Sequence, residues 1–243
     1  TRVVTVVDTT APVVTLNGAA KRVWELGGSY TELGAAASDL SGSVNVIISG
    51  TVSTTTIGDY VLVYTATDAS GNAGTATRSV LVRDTTAPVV TLNGAAELSL
   101  ELGGSYTELG ASSTDYTGVY PVVVSGSVDT SVVGPYTLTY TSTDASGNAG
   151  TATRVVTVVD TTAPVVTVTG DNPATAELGS TYADAGASAT DLSGDVTVIT
   201  SGSVDTSTVG DYTLTYTSTD ASGNAGTATR VVTVVDTTAP VVT

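Results

Sequence analysis

The chain has 243 residues, with no Cys, His, Met or Phe, and 7 Lys+Arg stand against 23 Asp+Glu for a formal net charge of -16. Without Cys or His there is no disulfide framework, no thiolate nucleophile, no Cys-based zinc site and no imidazole base. The acidity argues against nucleic acid and anionic lipid, whose phosphates need Lys and Arg, and no apolar run approaches the ~18 residues of a membrane span.

Self-similarity dominates the chain. The string DTTAPVVT begins at Asp8, Asp84, Asp160 and Asp236, each start 76 residues after the last, and DASGNAGTATR recurs with the same period from Asp68, Asp144 and Asp220. Missing such a period would miscall the fold. The predicted organisation is the end of a preceding repeat at 1–7, repeats at 8–83, 84–159 and 160–235, and the start of a following repeat at 236–243. Both ends fall inside the pattern, so the chain reads as a window on a longer array.

Along the first repeat, strands are predicted at Pro12–Leu16, Arg22–Leu26, Ala35–Ser38, Val44–Ser49, Tyr60–Thr67 and Ala73–Arg83, with the same offsets in the other two. Segments such as Tyr136-Thr-Leu-Thr-Tyr140 alternate large apolar residues with Thr at period two, which puts one face in a core and one in water. Thr and Val also suit the pleated backbone. Gly, Ser, Asp and Asn fill the turns. The expected fold class is all-β: tandem antiparallel β-sandwiches in an elongated rod, since the strand before Asp160 runs through Asp160-Thr-Thr-Ala-Pro164 into the next with no Gly/Ser spacer.

Gly58-Asp-Tyr60-Val-Leu62, Gly134-Pro-Tyr136-Thr-Leu138 and Gly210-Asp-Tyr212-Thr-Leu214 are similar to the tyrosine corner of immunoglobulin domains, with Leu in place of Cys. The Asp that often precedes this motif is replaced by Thr56, Val132 and Thr208. Together with DTTAPVVT, ELGxxY (at Glu25, Glu101 and Glu177) and DASGNAG, the repeats resemble bacterial Ig-like repeats of the HYR-like and pesticidal-crystal-protein Ig-like group. That resemblance implies stalks of secreted or surface-anchored proteins, including adhesins.

For the chain to enter a sandwich at one pole and leave at the other, its crossings must be odd in number. Six segments give five crossings if Arg22–Leu26 and Ala35–Ser38 are two pieces of one return path. The loop with Asp39, the hairpin with Asp68 and Asn72, and linker Asp8 then meet at one pole. The equivalent groups are Asp84, Asp115, Asp144 and Asn148, and Asp160, Asp191, Asp220 and Asn224. Clustered carboxylates repel, and Ca²⁺, which takes six to eight oxygens, relieves that repulsion. Ordinary Asx-turn chemistry explains the same residues without a metal. Asp195 adds a D-x-x-x-D pair with Asp191 in the third repeat only.

No catalytic constellation is present. Trp24, the sole Trp, shares strand parity with Arg22 and Leu26 and is expected to fill core. Lys21 is the sole Lys, so the second and third repeats cannot form Lys isopeptide crosslinks. Net charge runs -2, -6 and -8 across the three repeats. The sequence therefore points to a non-enzymatic extracellular stalk or spacer, with neighbouring repeats as its first partners. A carbohydrate- or protein-binding module is one alternative, and a filament of like chains another.

Overall fold

The computed structural model describes residues 1–40 and 42–242. In the first repeat, Val13–Leu16 (β1), Lys21–Glu25 (β2), Ala35–Asp39 (β3), Gly42–Ser43 (β4), Val46–Ser49 (β5), Gly58–Thr67 (β6) and Ala73–Arg83 (β7) form two sheets. Their orders are β1-β3-β4 and β2-β7-β6-β5. The second repeat repeats this arrangement with Val89–Leu92 (β8), Glu97–Glu101 (β9), Ala111–Asp115 (β10), Gly118–Val119 (β11), Val122–Ser125 (β12), Gly134–Thr143 (β13) and Ala149–Val159 (β14). The third has Val165–Val168 (β15), Ala174–Glu177 (β16), Ala187–Thr190 (β17), Val198–Ser201 (β18), Gly210–Thr219 (β19) and Ala225–Val235 (β20), with an isolated Asp191–Gly194 bridge in place of a short strand. Each repeat is an all-β, Ig-like pair of sheets.

Three expectations are corrected. The sheets are not wholly antiparallel: β2 runs parallel to β7 from Lys21↔Ser79 to Glu25↔Arg83, and β9–β14 and β16–β20 are parallel as well. The return path is also differently composed. β1 pairs with β3 in one sheet, and β2 crosses to the other sheet to lie along β7. The first crossing is therefore β1 plus β2, and β3 alone is the return. The count of five survives because merging a different pair leaves the parity unchanged. The predicted strand Val44–Ser49 is shorter, running from Val46 to Ser49 along β6, and it is preceded by an unpredicted short strand, Gly42–Ser43, paired with β3.

Close contacts divide the chain into two compact units, one of residues 1–91, 111–123 and 140–152 and the other of 92–110, 124–139 and 153–243. The division passes through the second repeat. The linker after the first repeat thus lies inside the first unit, and the linker after the second lies inside the second unit.

Alternation builds each core. Leu62, Tyr64, Ala66, Val80 and Val82 are buried in the first repeat, and Leu138, Tyr140, Val156 and Val158 in the second. In the third, Ala176, Leu214, Tyr216, Val232 and Val234 pack together, with Val166, Val168, Tyr182 and Val198 against them. Each fully buried Val or Leu contributes about 1.5–3 kcal/mol. Tyr60, Tyr136 and Tyr212 donate their hydroxyls to the carbonyls of Thr56, Val132 and Thr208, each at 2.9 Å. The corner therefore uses a backbone acceptor four residues upstream, and the side chain there is free to vary. Trp24 is registered with buried Val82 but is itself half-buried, meeting Tyr30 edge-on at 5.3 Å between ring centres.

The largest buried side chains were not anticipated. Arg78, Arg154 and Arg230 are almost wholly enclosed. Arg154 donates to Glu108 at 2.6 Å and to the carbonyls of Ala95 and Asn93 at 3.0 and 2.6 Å. Arg78 pairs with Glu32 and Arg230 with Asp184, and Tyr216 donates to Asp184 at 2.7 Å. A buried guanidinium needs such partners, because an uncompensated charge in a core is heavily penalised; of the Arg230 nitrogens, Nε alone is buried without one.

Candidate functional site at the repeat junctions

Each linker begins Asp-Thr-Thr, and the two halves of that tripeptide are held by different repeats. In the first unit, the Glu25 carboxylate ending β2 accepts the Thr85 N–H at 3.1 Å and the Thr86 hydroxyl at 2.7 Å. In the second unit, Glu101 accepts the Thr161 N–H at 2.8 Å and the hydroxyls of Thr161 and Thr162 at 2.9 Å. Glu177 does the same with the Thr237 N–H and hydroxyl at 2.8 Å. All three acids are held below the ordinary carboxylate value. The largest cause is the Thr85 hydroxyl for Glu25, and the Thr161 and Thr237 amides for the other two.

The linker aspartate is tied the other way, to the hairpin of the repeat that follows. Asn72, Asn148 and Asn224 donate side-chain N–H groups to the carbonyls of Asp8, Asp84 and Asp160 at 3.2, 3.2 and 3.1 Å. The same amide nitrogens reach Oδ2 of Asp68, Asp144 and Asp220 at 2.7–2.8 Å. Three of the residues singled out in the sequence, the asparagines, thus act here as donors that brace the linker. Asp68 is held below its ordinary value, chiefly by Asn72. At Asp144 and Asp220 burial pushes upward most strongly, but Asn148 and Asn224 and the turn N–H groups outweigh it and the net shift is down.

The structure brings three carboxylates together at each of these poles. Asp8, Asp39 and Asp68 form one group, Asp84, Asp115 and Asp144 the second, and Asp160, Asp191 and Asp220 the third, with one oxygen from each within 4.8 Å of the others. Asp68, Asp84, Asp144, Asp160 and Asp220 are buried. In the second group the Ser146 hydroxyl donates to Asp84 Oδ2 at 3.1 Å. In the third, Asp160 Oδ1 accepts the Thr162 N–H at 3.2 Å, while Oδ2 is buried with no partner. An oxygen-only, anionic donor set with such an unrelieved atom suits a hard cation such as Ca²⁺.

A packing contact is added at the second and third linkers. The residue after the loop aspartate is a knob that seats on a glycine turn of the preceding repeat. Tyr116 covers Gly27, where a Cβ would lie 2.6 Å from its ring, and Leu192 covers Gly103, where a Cβ would lie 2.6 Å from its Cδ2. The corresponding Leu40 is 94 % exposed, and nothing lies over Gly179.

Sequence reasoning missed the Glu clamp, the knob and the arginine core. A signal existed for the arginine: Arg78 shares strand parity with buried Val80 and Val82 and recurs in every repeat, 46 residues after an acid. The second and third repeats hold no other Lys or Arg, so their surfaces are acidic without any basic side chain.

A profile of Ig-like domains from bacterial surface proteins matches residues 14–82, 90–158 and 166–234. Hyalin of Strongylocentrotus purpuratus is 39 % identical over 99 % of this chain, and hyalin of Lytechinus variegatus 34 % over 97 %. The chain spans only 22 % and 49 % of the lengths of those two relatives. Among solved structures, a protocadherin gammaB7 EC3-6 cis-dimer aligns with 93 % of this chain and 78 % of its own at 16 % identity and a TM-score of 0.34. With three consecutive matches covering most of its length, the chain belongs to the bacterial surface protein Ig-like domain family.

Proposed function

We propose that the chain is a structural, non-enzymatic stalk or spacer segment of an extracellular surface protein or adhesin, with divalent cations, Ca²⁺ foremost, bound at its repeat junctions. The observation that supports this reading is where the recurring polar side chains lie. In all three repeats the same Glu, Asn and Asp residues converge on the linker and the loops beside it. A chain arranged in this way fixes one repeat to the next. The aspartate triads would hold the cation, which would neutralise their mutual repulsion and couple linker to loops.

The test has two parts. Antibody labelling and protease shaving of intact cells are expected to find the chain at the surface; signal only after permeabilisation would sink the extracellular role. Thermal melting in millimolar Ca²⁺ against chelator is expected to raise Tm in calcium. An unchanged Tm with no binding heat would remove the metal from this reading.

A binding role has one observation in its favour. Apart from the buried core arginines, the first repeat carries a cationic aromatic cluster, with the Arg22 guanidinium 4.8 Å from the Trp24 ring and 5.8 Å from Tyr30. Leu98 and Leu100, and Ala174 and Ala176, stand at the Arg22 and Trp24 positions elsewhere. A glycan array probed with the wild-type chain and a Trp24→Ala variant tests it, a signal lost in the variant supporting binding.

A further inference from the structure

We infer that the three carboxylate triads are unequal and that Asp160–Asp191–Asp220 takes the first divalent cation; this ranking rests on reading the junctions as cation sites. The argument is the state of each triad's oxygens before any ion arrives.

In the Asp84–Asp115–Asp144 group, neutral hydroxyls already serve two of the carboxylates. Ser146 donates to Asp84 Oδ2 at 3.1 Å, and Thr117 to Asp115 Oδ2 at 2.8 Å. An incoming ion has to displace or share those bonds. In the Asp8–Asp39–Asp68 group, Asp8 is only half-buried, so water screens part of the repulsion that a cation would otherwise relieve. In the Asp160 group the Ser193 hydroxyl and N–H serve Asp191 Oδ1, as Thr117 serves Asp115, but no hydroxyl reaches the linker aspartate and that aspartate is buried. Asp160 is 8 % exposed, Ser222 stands where Ser146 stands in the second repeat, and Asp160 Oδ2 is enclosed with no hydrogen-bond partner. A buried anionic oxygen left in that condition costs free energy that a cation recovers on binding.

The surroundings fit as well. A cleft of about 410 Å³ is lined by Leu102, Ser131, Ser193 and Ser222, the two last lying two residues beyond Asp191 and Asp220. A second, of about 350 Å³, is lined by Thr162, Asp191 and Leu192. Ca²⁺ takes six to eight oxygens, more than three carboxylates supply when each binds through one. Clefts that hold several waters of about 30 Å³ each let solvent complete the shell. The third repeat is also the most acidic, at -8, which raises the local cation concentration.

The experiment uses the full 243-residue chain. Mn²⁺ is added to the wild type and amide resonances are followed by NMR, so that no variant has to fold. Broadening is expected first at residues 191–193 and 220–223, and only at higher Mn²⁺ at 115–117 and 144–147. Ca²⁺ calorimetry is expected to show a tightest step roughly three- to tenfold stronger than the next, the scale of one hydrogen bond gained or lost. Asp220→Asn should abolish that step and Asp144→Asn should leave it. Ser146→Ala should tighten the next step a few-fold. Broadening that starts at the Asp84 group, or a tightest step lost in Asp144→Asn but kept in Asp220→Asn, would overturn the ranking alone. Neither binding heat nor broadening in the wild type would overturn the cation reading and the ranking with it.

Discussion

Glu25 accepts a hydrogen bond from the backbone of Thr85, sixty residues further along, and so the first repeat holds the start of the chain segment that builds the second. Asn148 of that second repeat reaches back to the carbonyl of Asp84, the residue just before. The two grips overlap by one peptide.

Neutralising one grip should loosen its linker while sparing the sandwich. For Glu101→Gln, amide exchange at Thr161 is expected to accelerate by roughly an order of magnitude, because a charged acceptor makes the stronger hydrogen bond. Exchange at Val156 and Val158 in the core is expected to stay as it was. Equal acceleration at both places would show that the clamp and the core open together.

The buried arginine offers a larger effect. Arg154→Ala leaves Glu108 without its cation and opens a cavity, and a loss of about 3–5 kcal/mol is expected in denaturant melts. Pairing Arg154→Met with Glu108→Leu should recover most of that loss, since apolar residues of similar volume often replace an enclosed ion pair without penalty. A double variant no better than the single one would mean that the carbonyl bonds from Arg154 to Ala95 and Asn93 dominate.

Gly103 and Gly179 separate backbone strain from the knob contact. Both have φ of +72°, but only Gly103 lies beneath Leu192. Each change to Ala should cost about 1–2 kcal/mol for the left-handed backbone. Gly103→Ala should cost about 1–3 kcal/mol more from overpacking against Leu192. Adding Leu192→Ala is expected to erase the excess. Equal losses in the two single variants would remove the knob from the account.

Acid should weaken the junctions. Glu25, Glu101, Glu177, Asp68, Asp144 and Asp220 all have lowered values in the folded state. Their stabilisation is fully present above the unfolded carboxylate values near 3.9–4.3 and is lost as pH falls through the lower folded ones. Tm is therefore expected to hold steady from about pH 7 to 5 and to drop below about pH 4. A fall beginning near neutral pH would point to groups other than these.

How much of this was legible depended on what a repeat makes visible. The period, the strand alternation and the grouping of Asp39 and Asp68 with linker Asp8 followed from spacing and from the parity of crossings. That parity argument succeeded even though it merged the wrong two strands. The parallel pairing of β2 with β7 was hidden, because nothing in Lys21–Glu25 states which sheet it will join. The arginine core was hidden by habit, since an Arg on a strand is usually placed in water, and only the matching acid 46 residues upstream argues otherwise. The knob escaped because Tyr116 and Leu192 differ in kind; what they share is a place above a glycine.

Among the described residues, the side-chain hydrogen bonds that tie the chain together reach at most 64 residues along it, less than the 76 that separate successive copies of the same motif. No such bond therefore looks past its immediate neighbour. A gene of this type tolerates unequal crossing-over at any point within the period, because inserting or deleting one whole period restores each donor to an acceptor of the same kind. Variation in copy number would then add or remove whole repeats without having to reinvent a single interface.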